Sequence, residues 1–320
     1  MIKRLLLKQS LLLKKLKYYN YNTFFTKNNL IMSGFNKHRI EIDGSNDIIT
    51  IHPAEGKHSA TIILMHGLGD TSSGWRDVGE EIVIRYPYVK VILPTAKERP
   101  VTLNMGAHMP AWYDITGLTA DRAAEDCIGI DESVTIIKNL METEASLGIK
   151  YERMMLAGFS QGGAMTLFTG LQLSVEQKLA GLLVMSGYLP AASKFKLTSG
   201  LDDIPILHCH GDSDVVVRHD WAVKTKETIV AYGVKNYELK TYNRLGHGIN
   251  QELQEYAFHF ISKCLVDDPS LALKAKEFSE MSVKELKIAI RNYGLGSQAM
   301  GFSEKQEFVK LLEEHKLKNS

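Results

Sequence analysis

Cysteine is scarce in this chain, and the three that occur, Cys127, Cys209 and Cys264, stand far apart with no Cys-x-x-Cys spacing. That argues against a disulfide framework and against the common thiolate zinc or redox motifs; it predicts buried thiols in a reducing compartment. Long apolar runs are missing too: nothing approaches the roughly 18 uninterrupted apolar residues of a membrane-spanning helix. An excess of one charge is also missing, since Lys and Arg total 38 against 37 for Asp and Glu. No global field therefore points to nucleic acid or to acidic substrates.

One local exception is the amino-terminal stretch. Lys3, Arg4, Lys8, Lys14, Lys15, Lys17 and Lys27 occur before the first acidic residue, Glu41. At 100° per residue, Ile2, Leu5, Leu6, Leu12, Leu13 and Leu16 share an arc of about 120°. Residues 1–31 read as a basic amphipathic segment. Lysines interrupt the apolar run that a secretory signal needs, so a mitochondrial presequence or a membrane-surface helix suits it better. A disordered tail, or one bypassed by starting at Met32, is the plain alternative.

What is present is material for one large core. A content of 44% hydrophobic and 23% charged over 320 residues predicts a soluble globular domain with room for a small appendage. From about residue 38, strand-like and helix-like segments alternate, which predicts an α/β fold with a mostly parallel central sheet and helices on both faces. Expected strands are Ile48 to His52, Ala60 to Met65, Val89 to Leu93, Arg153 to Ala157, Leu182 to Ser186, Ile206 to His210 and Tyr237 to Tyr242. Expected helices are Trp75 to Tyr86, Asp121 to Leu147, Gln161 to Leu173, Asp220 to Tyr232 and Asn250 to Cys264. This gives a domain over residues 38–266.

Past Asp267, Asp268 and Pro269 the pattern changes. Ser282 to Glu285 and Ser303 to Gln306 have capping-box spacing, so residues 270–320 are expected to form a small helical extension. Val283, Leu286 and Ile290 give its first helix an apolar face; Phe308, Leu311 and Leu312 give one to the second. The spacing in MSVKELKIAI and GFSEKQEFVKLL resembles SAP-like helical modules, and an extension packed on the core explains it equally. No nucleic-acid binding is expected from it.

The chemistry concentrates in MLAGFSQGGAM, where Gly158, Ser160 and Gly162 form Gly-x-Ser-x-Gly. By composition those three positions recur in roughly one chain in ten of this length, so the motif alone is weak. Its setting strengthens it: an apolar strand precedes it and a helical run follows, which is the arrangement of a nucleophile elbow. A hydroxyl is a poor nucleophile at neutral pH, so Ser160 needs a base, and the base an orienting carboxylate. In this fold they follow in the order Asp, then His. His208 and His210 lie in an apolar strand, His259 is mid-helix and His315 is in the tail. His247, in the glycine-flanked loop RLGHG, is the expected base, with His219 as rival. Asp212 and Asp214 in HGDSD both suit the carboxylate, and their chemistry does not separate them. The glycine-rich HGLGD after strand TIILM suits an oxyanion loop, with Leu68 and Gln161 as the expected backbone N–H donors.

Taken together, HGLGDTSSGW, RPVTLNMGAHMPAWYD, GFSQGGAM, HGDSD and the later GHG resemble the acyl-protein thioesterase and lysophospholipase branch of the α/β-hydrolases. The likeness spans roughly residues 48 to 265. It implies Ser160 as nucleophile, His247 as base and Asp214 as the orienting residue. It further implies a cytosolic serine esterase that needs no metal or cofactor and acts on S-acylated proteins or lysophospholipids. Residues 99 to 117 would form a loop over the site, with Leu68, Met109, Trp112 and Tyr113 lining an apolar groove. Two departures stand out. No cysteine precedes Cys127, so amino-terminal palmitoylation of the animal type is not open to this chain; the basic segment is the expected substitute for peripheral membrane contact, or a mitochondrial address. The extension over 270–320 is foreign to the family core and is a candidate surface for a protein partner.

Overall fold

The computed structural model describes residues 38–53, 57–117, 125–273, 277–292 and 295–319. The basic segment over residues 1–31 lies outside them. The chain divides into two compact units, one ending at Leu273 and the other running from Lys274 to Ser320.

The first unit is an eight-stranded sheet in the order β1-β2-β4-β3-β7-β8-β9-β10. The strands are β1 (Arg39–Asp43), β2 (Ile48–His52), β3 (Ala60–Met65), β4 (Val89–Pro94), β7 (Met154–Phe159), β8 (Gly181–Met185), β9 (Ile206–Gly211) and β10 (Tyr237–Tyr242). β1 and β2 are antiparallel; every pairing from β4 to β10 is parallel. Strands buried on both faces explain the near-continuous apolar runs. Side chains alternate: Ile63, Met65, Leu156, Leu182 and Val184 join one core, while Ile62, Leu64, Met155, Leu183 and Met185 join the other.

Helices cover both faces. On the first core lie α2 (Ile130–Ser146), α3 (Gln161–Gly170) and α4 (His219–Ala231). On the second lie α1 (Arg76–Arg85) and α5 (Gln251–Cys264). The chain leaves β3 for β4 on one side and later returns to β7 on the other. A crevice outside the carboxyl ends of β3 and β7 follows from that reversal, and such a switch point is where open α/β sheets bind ligands.

Three elements differ from expectation. β1 is additional: Ile40 and Ile42 alternate with charged residues on a half-exposed edge strand, a weak signal in so short a run. Residues 98–110, expected as loop, form the antiparallel hairpin β5 (Glu98–Val101) and β6 (Ala107–Pro110), turned at Met105 and Gly106 with positive φ. The helix expected from Asp121 begins only at Ile130. Cys127 and Gly129 have φ 48 and 92, outside the helical region, and Arg99 crosses the space where a Gly129 Cβ would sit. Residues 118–124 lie outside the description.

At the amino-terminal edge of the sheet, polar groups are buried as a set. Thr61 of β3 pairs with Lys90 of β4. Lys90 Nζ reaches Glu144 Oε1 of α2 at 2.5 Å, and the Thr61 hydroxyl donates to Glu144 Oε2 at 2.8 Å. That hydroxyl oxygen lies 2.9 Å from His58 Nε2, which must therefore be the donor. Burial, opposed by Glu144, pushes the His58 imidazole down to about 4.

The second unit packs Phe278, Leu286, Ile290, Leu295, Phe308 and Leu312 into its own small core. Its helices are α6 (Val283–Asn292) and α7 (Lys305–Asn319). The first capping box forms: Ser282 N–H donates to Glu285 Oε2 at 2.6 Å, and Glu285 N–H to Ser282 Oγ at 3.3 Å. Val283, expected on the apolar face, is exposed instead. At the second helix Glu307, not Gln306, reaches back, accepting from the Ser303 and Glu304 amides at 2.8 and 2.9 Å. Its charge suits a helix amino terminus better than a neutral amide would.

Candidate active site

Steric exclusion shapes the elbow. β7 ends at Phe159, Ser160 turns the chain with φ 54 and ψ −117, and α3 starts at Gln161. A serine in that conformation is strained and persists only where its surroundings enforce it. A Cβ on Gly158 would fall 2.3 Å from the Gly162 carbonyl, and one on Gly162 would fall 2.3 Å from the Met65 oxygen. Only glycine lets strand, helix and neighbouring strand meet backbone to backbone there. The Ser160 N–H donates to Met185 O at 2.8 Å and ties the turn to β8.

His247 arrives on the loop between β10 and α5. Its Nε2 lies 3.0 Å from Ser160 Oγ and its Nδ1 lies 2.7 Å from Asp214 Oδ2. An ionised carboxylate only accepts, so Nδ1 carries the hydrogen and Nε2 is left to accept from the serine hydroxyl. Asp214, just beyond β9, is 5% exposed, and its Oδ1 accepts the Val216 and Val217 amides at 2.9 Å each. Burial opposes its charge, but contacts from His210 and His247 outweigh that and hold the carboxyl well below the usual range. Phe159 packs on the His247 ring with centroids 4.8 Å apart.

Asp212 takes a different task. Its Oδ1 accepts the Arg244 N–H at 2.7 Å and the Ser213 hydroxyl at 2.9 Å, pinning the loop that carries His247. His219, the rival base, opens α4 and bonds Thr241 Oγ1 at 2.9 Å.

The loop after β3 closes on the nucleophile, for a Cβ on Gly67 would lie 3.3 Å from Ser160 Cβ. Leu68 follows Gly67 in that loop and is part exposed; Gln161 opens α3. His66 braces the loop: its Nε2 accepts the Ala96 N–H at 2.9 Å, which leaves its Nδ1–H for Gly67 O at 2.6 Å. Burial lowers its affinity for a proton, which suits this neutral form. Gly69 N–H donates to Pro110 O of β6 at 2.8 Å.

Of the side chains expected in an acyl groove, Met109 is part exposed, with its Sδ against Gly69 and 3.2 Å from Asn104 Nδ2. Trp112 and Tyr113 are fully buried. The indole N–H of Trp112 donates to His66 O at 2.9 Å, and the Tyr113 hydroxyl to Tyr188 at 2.7 Å. Both therefore brace the frame rather than face outward. The Gln161 side chain clamps them: Oε1 accepts the Trp112 N–H at 2.8 Å and Nε2 donates to Tyr113 O at 2.7 Å. Neither this clamp nor the His66 brace was read from the sequence. Their one trace is position, each beside a motif glycine.

The pattern that defines the Phospholipase/Carboxylesterase family matches residues 46–265. The chain belongs to that family. Among its relatives, acyl-protein thioesterase 1 homolog 1 of Dictyostelium discoideum is 44% identical over 65% of this chain and 92% of its own. Acyl-protein thioesterase 1 of Neurospora crassa is 37% identical over 72% and 95%. Among solved structures, acyl-protein thioesterase 2 of Zea mays superimposes with a TM-score of 0.58 at 29% identity, covering 68% of this chain and 98% of its own. The family match ends eight residues short of Leu273, the last residue of the first unit.

Proposed function

We propose that this family member is a serine hydrolase that removes long-chain acyl groups from S-acylated cysteines of proteins. The observation that carries the reading is the unbroken line of hydrogen bonds from Asp214 through His247 to Ser160 Oγ, at 2.7 and 3.0 Å. Relatives named as acyl-protein thioesterases in a slime mould and a fungus support the substrate class.

In this proposal Ser160 Oγ attacks the thioester carbonyl while His247 Nε2 takes its proton and Asp214 stabilises the resulting imidazolium. The Leu68 and Gln161 N–H groups receive the oxyanion. The cysteine sulfur leaves and takes up the proton from the His247 imidazolium; water that gives a proton to the neutral His247 then attacks the serine ester and releases the acyl group, and the proton returns to Ser160 Oγ. A thiolate departs without full protonation, whereas an alkoxide needs the imidazolium as acid. His247→Ala is therefore expected to slow single-turnover acylation by oxyesters more than by thioesters.

The family's description as Phospholipase/Carboxylesterase favours one second reading, hydrolysis of lipid oxyesters, for which a lysophospholipid is the test substrate. Turnover of a palmitoylated peptide against lysophosphatidylcholine, with Ser160→Ala as control, divides the two. A kcat/KM at least about tenfold higher on the peptide supports the thioesterase, and the reverse order overturns it. We further propose work at membrane surfaces reached from the cytoplasm, a reading supported by the basic, leucine-rich residues 1–31, whose composition also suits mitochondrial import. A protein partner for residues 270–320 is proposed because they lie beyond the matched segment.

A further inference from the structure

β9 carries two histidines outside the reaction just described. His208 and His210 are two apart, so both project to the same face of the sheet, and both are wholly buried. His208 Nδ1 lies 2.7 Å from the Tyr237 hydroxyl of β10, and His208 Nε2 lies 3.2 Å from His210 Nδ1. His210 Nε2 lies 2.7 Å from Val217 O and 3.4 Å from Asp214 Oδ2.

The hydrogens in this string can be placed from chemistry alone. The Val217 carbonyl only accepts, so His210 Nε2 carries a hydrogen. A neutral His210 then has a bare Nδ1, which accepts from His208 Nε2–H. A neutral His208 in turn has a bare Nδ1, which accepts from the Tyr237 hydroxyl. Every contact is satisfied with both rings uncharged, and burial pushes His208 well below the usual imidazole range in agreement. The last N–H of the string goes to the carbonyl of Val217, whose own amide holds Asp214 Oδ1, and the same nitrogen stands 3.4 Å from Asp214 Oδ2, the oxygen that receives His247.

We propose that His210, backed by His208 and Tyr237, is a positioning residue for the catalytic carboxylate. The string orients Asp214 and draws on its charge from outside the site. This rests on reading Asp214 as the residue that orients His247. The ionisable groups facing the string are Tyr237 from β10, Asp214 and His247 from the two loops, and His219 from α4, whose ring lies 5.8 Å from that of His210. Asp212 and Asp220 in turn bear on His219.

Removing the His210 N–H leaves Asp214 a stronger acceptor for the His247 imidazolium. His210→Phe is expected to lower kcat at least about tenfold with KM changed less than twofold, and to move the midpoint of the kcat/KM profile upward by about half a pH unit. His210→Gln, whose amide can place an N–H near the lost Nε2–H, is expected to recover most of the rate. A folded His210→Phe enzyme with undiminished kcat and an unmoved profile overturns the proposal, as does a Gln variant no better than Phe. Asp214→Asn run alongside separates the failures: if it is fully active, the reading of Asp214 itself falls. Nitrogen-15 shifts of the unsubstituted enzyme give a test free of folding effects. At neutral pH both rings should appear as the Nε2–H tautomer, and an Nδ1–H tautomer in either overturns the string.

Discussion

The sheet carries a buried polar cluster at each edge, and the two resemble one another closely in their chemistry. At the amino-terminal edge Lys90, Glu144, Thr61 and His58 satisfy one another. The other starts from Tyr237, the first residue of β10, and runs along β9 through His208 and His210 to Asp214 and His247 at the carboxyl edge, as buried as the first. Both contain histidines that burial keeps uncharged and carboxylates held by hydrogen bonds. The first cluster closes on itself. The second ends on Ser160, a part-exposed hydroxyl held on a strained turn at the topological switch. Buried polarity and depressed proton affinity thus mark both a strut and a site; an exposed nucleophile at the end of the ladder is what distinguishes the site.

Substitutions at each edge should separate the two roles. Ser160→Ala is expected to lower kcat by at least about 10⁴-fold and abolish labelling by a fluorophosphonate probe, with the melting temperature shifted by only about 2 °C. Labelling that survives would remove the basis for the contrast. Glu144→Leu strands the Lys90 ammonium and should cost about 3–5 kcal/mol in urea unfolding, while turnover per folded molecule stays unchanged. A fall in turnover there would show that the far edge takes part in the chemistry.

A third test uses pH. The folded state holds His58 near 4, against about 6.5 when unfolded, so the unfolded chain binds the extra proton first as pH falls. This contribution is fully present above pH 6.5, is lost between 6.5 and 4, and amounts to at most about 3 kcal/mol. Urea midpoints measured across that window should fall less in His58→Gln than in the unsubstituted protein; parallel curves would deny His58 the role. The smallest effect is expected at the exposed Asp212. Its loss in Asp212→Ala removes the brace on Arg244 and should cost about 1 kcal/mol and a few-fold in kcat, read by parallel melts and assays.

Much of this was legible in the chain, for reasons that differ from residue to residue. Parallel strands buried on both faces announce themselves as apolar runs, and all seven expected strands are present, with no end shifted by more than two residues. Ser160 and His247 were readable because glycine punctuates the turns that carry them. Asp214 could not be told from Asp212 by residue type, because the distinction lies in which carboxylate the turn buries. The hairpin over 98–110 was hidden by prolines at positions 100 and 110 in strands of only four residues. His208 and His210 sat in view with the spacing of two that strands impose, yet an apolar strand made them look like filler. Their meaning depends on Tyr237, Val217 and Asp214, which only the fold assembles.

The contact between Gly162 and the Met65 carbonyl has an evolutionary consequence. The separation of Ser160 and the loop after β3 is set by main chain touching main chain, and the side chains of the hairpin play no part in it. Met109 and its neighbours are therefore free to drift, and under the proposed function such drift would trade one acyl chain for another while the geometry at Ser160 stays as it is. A lineage built this way can diversify its substrates without reinventing its catalyst.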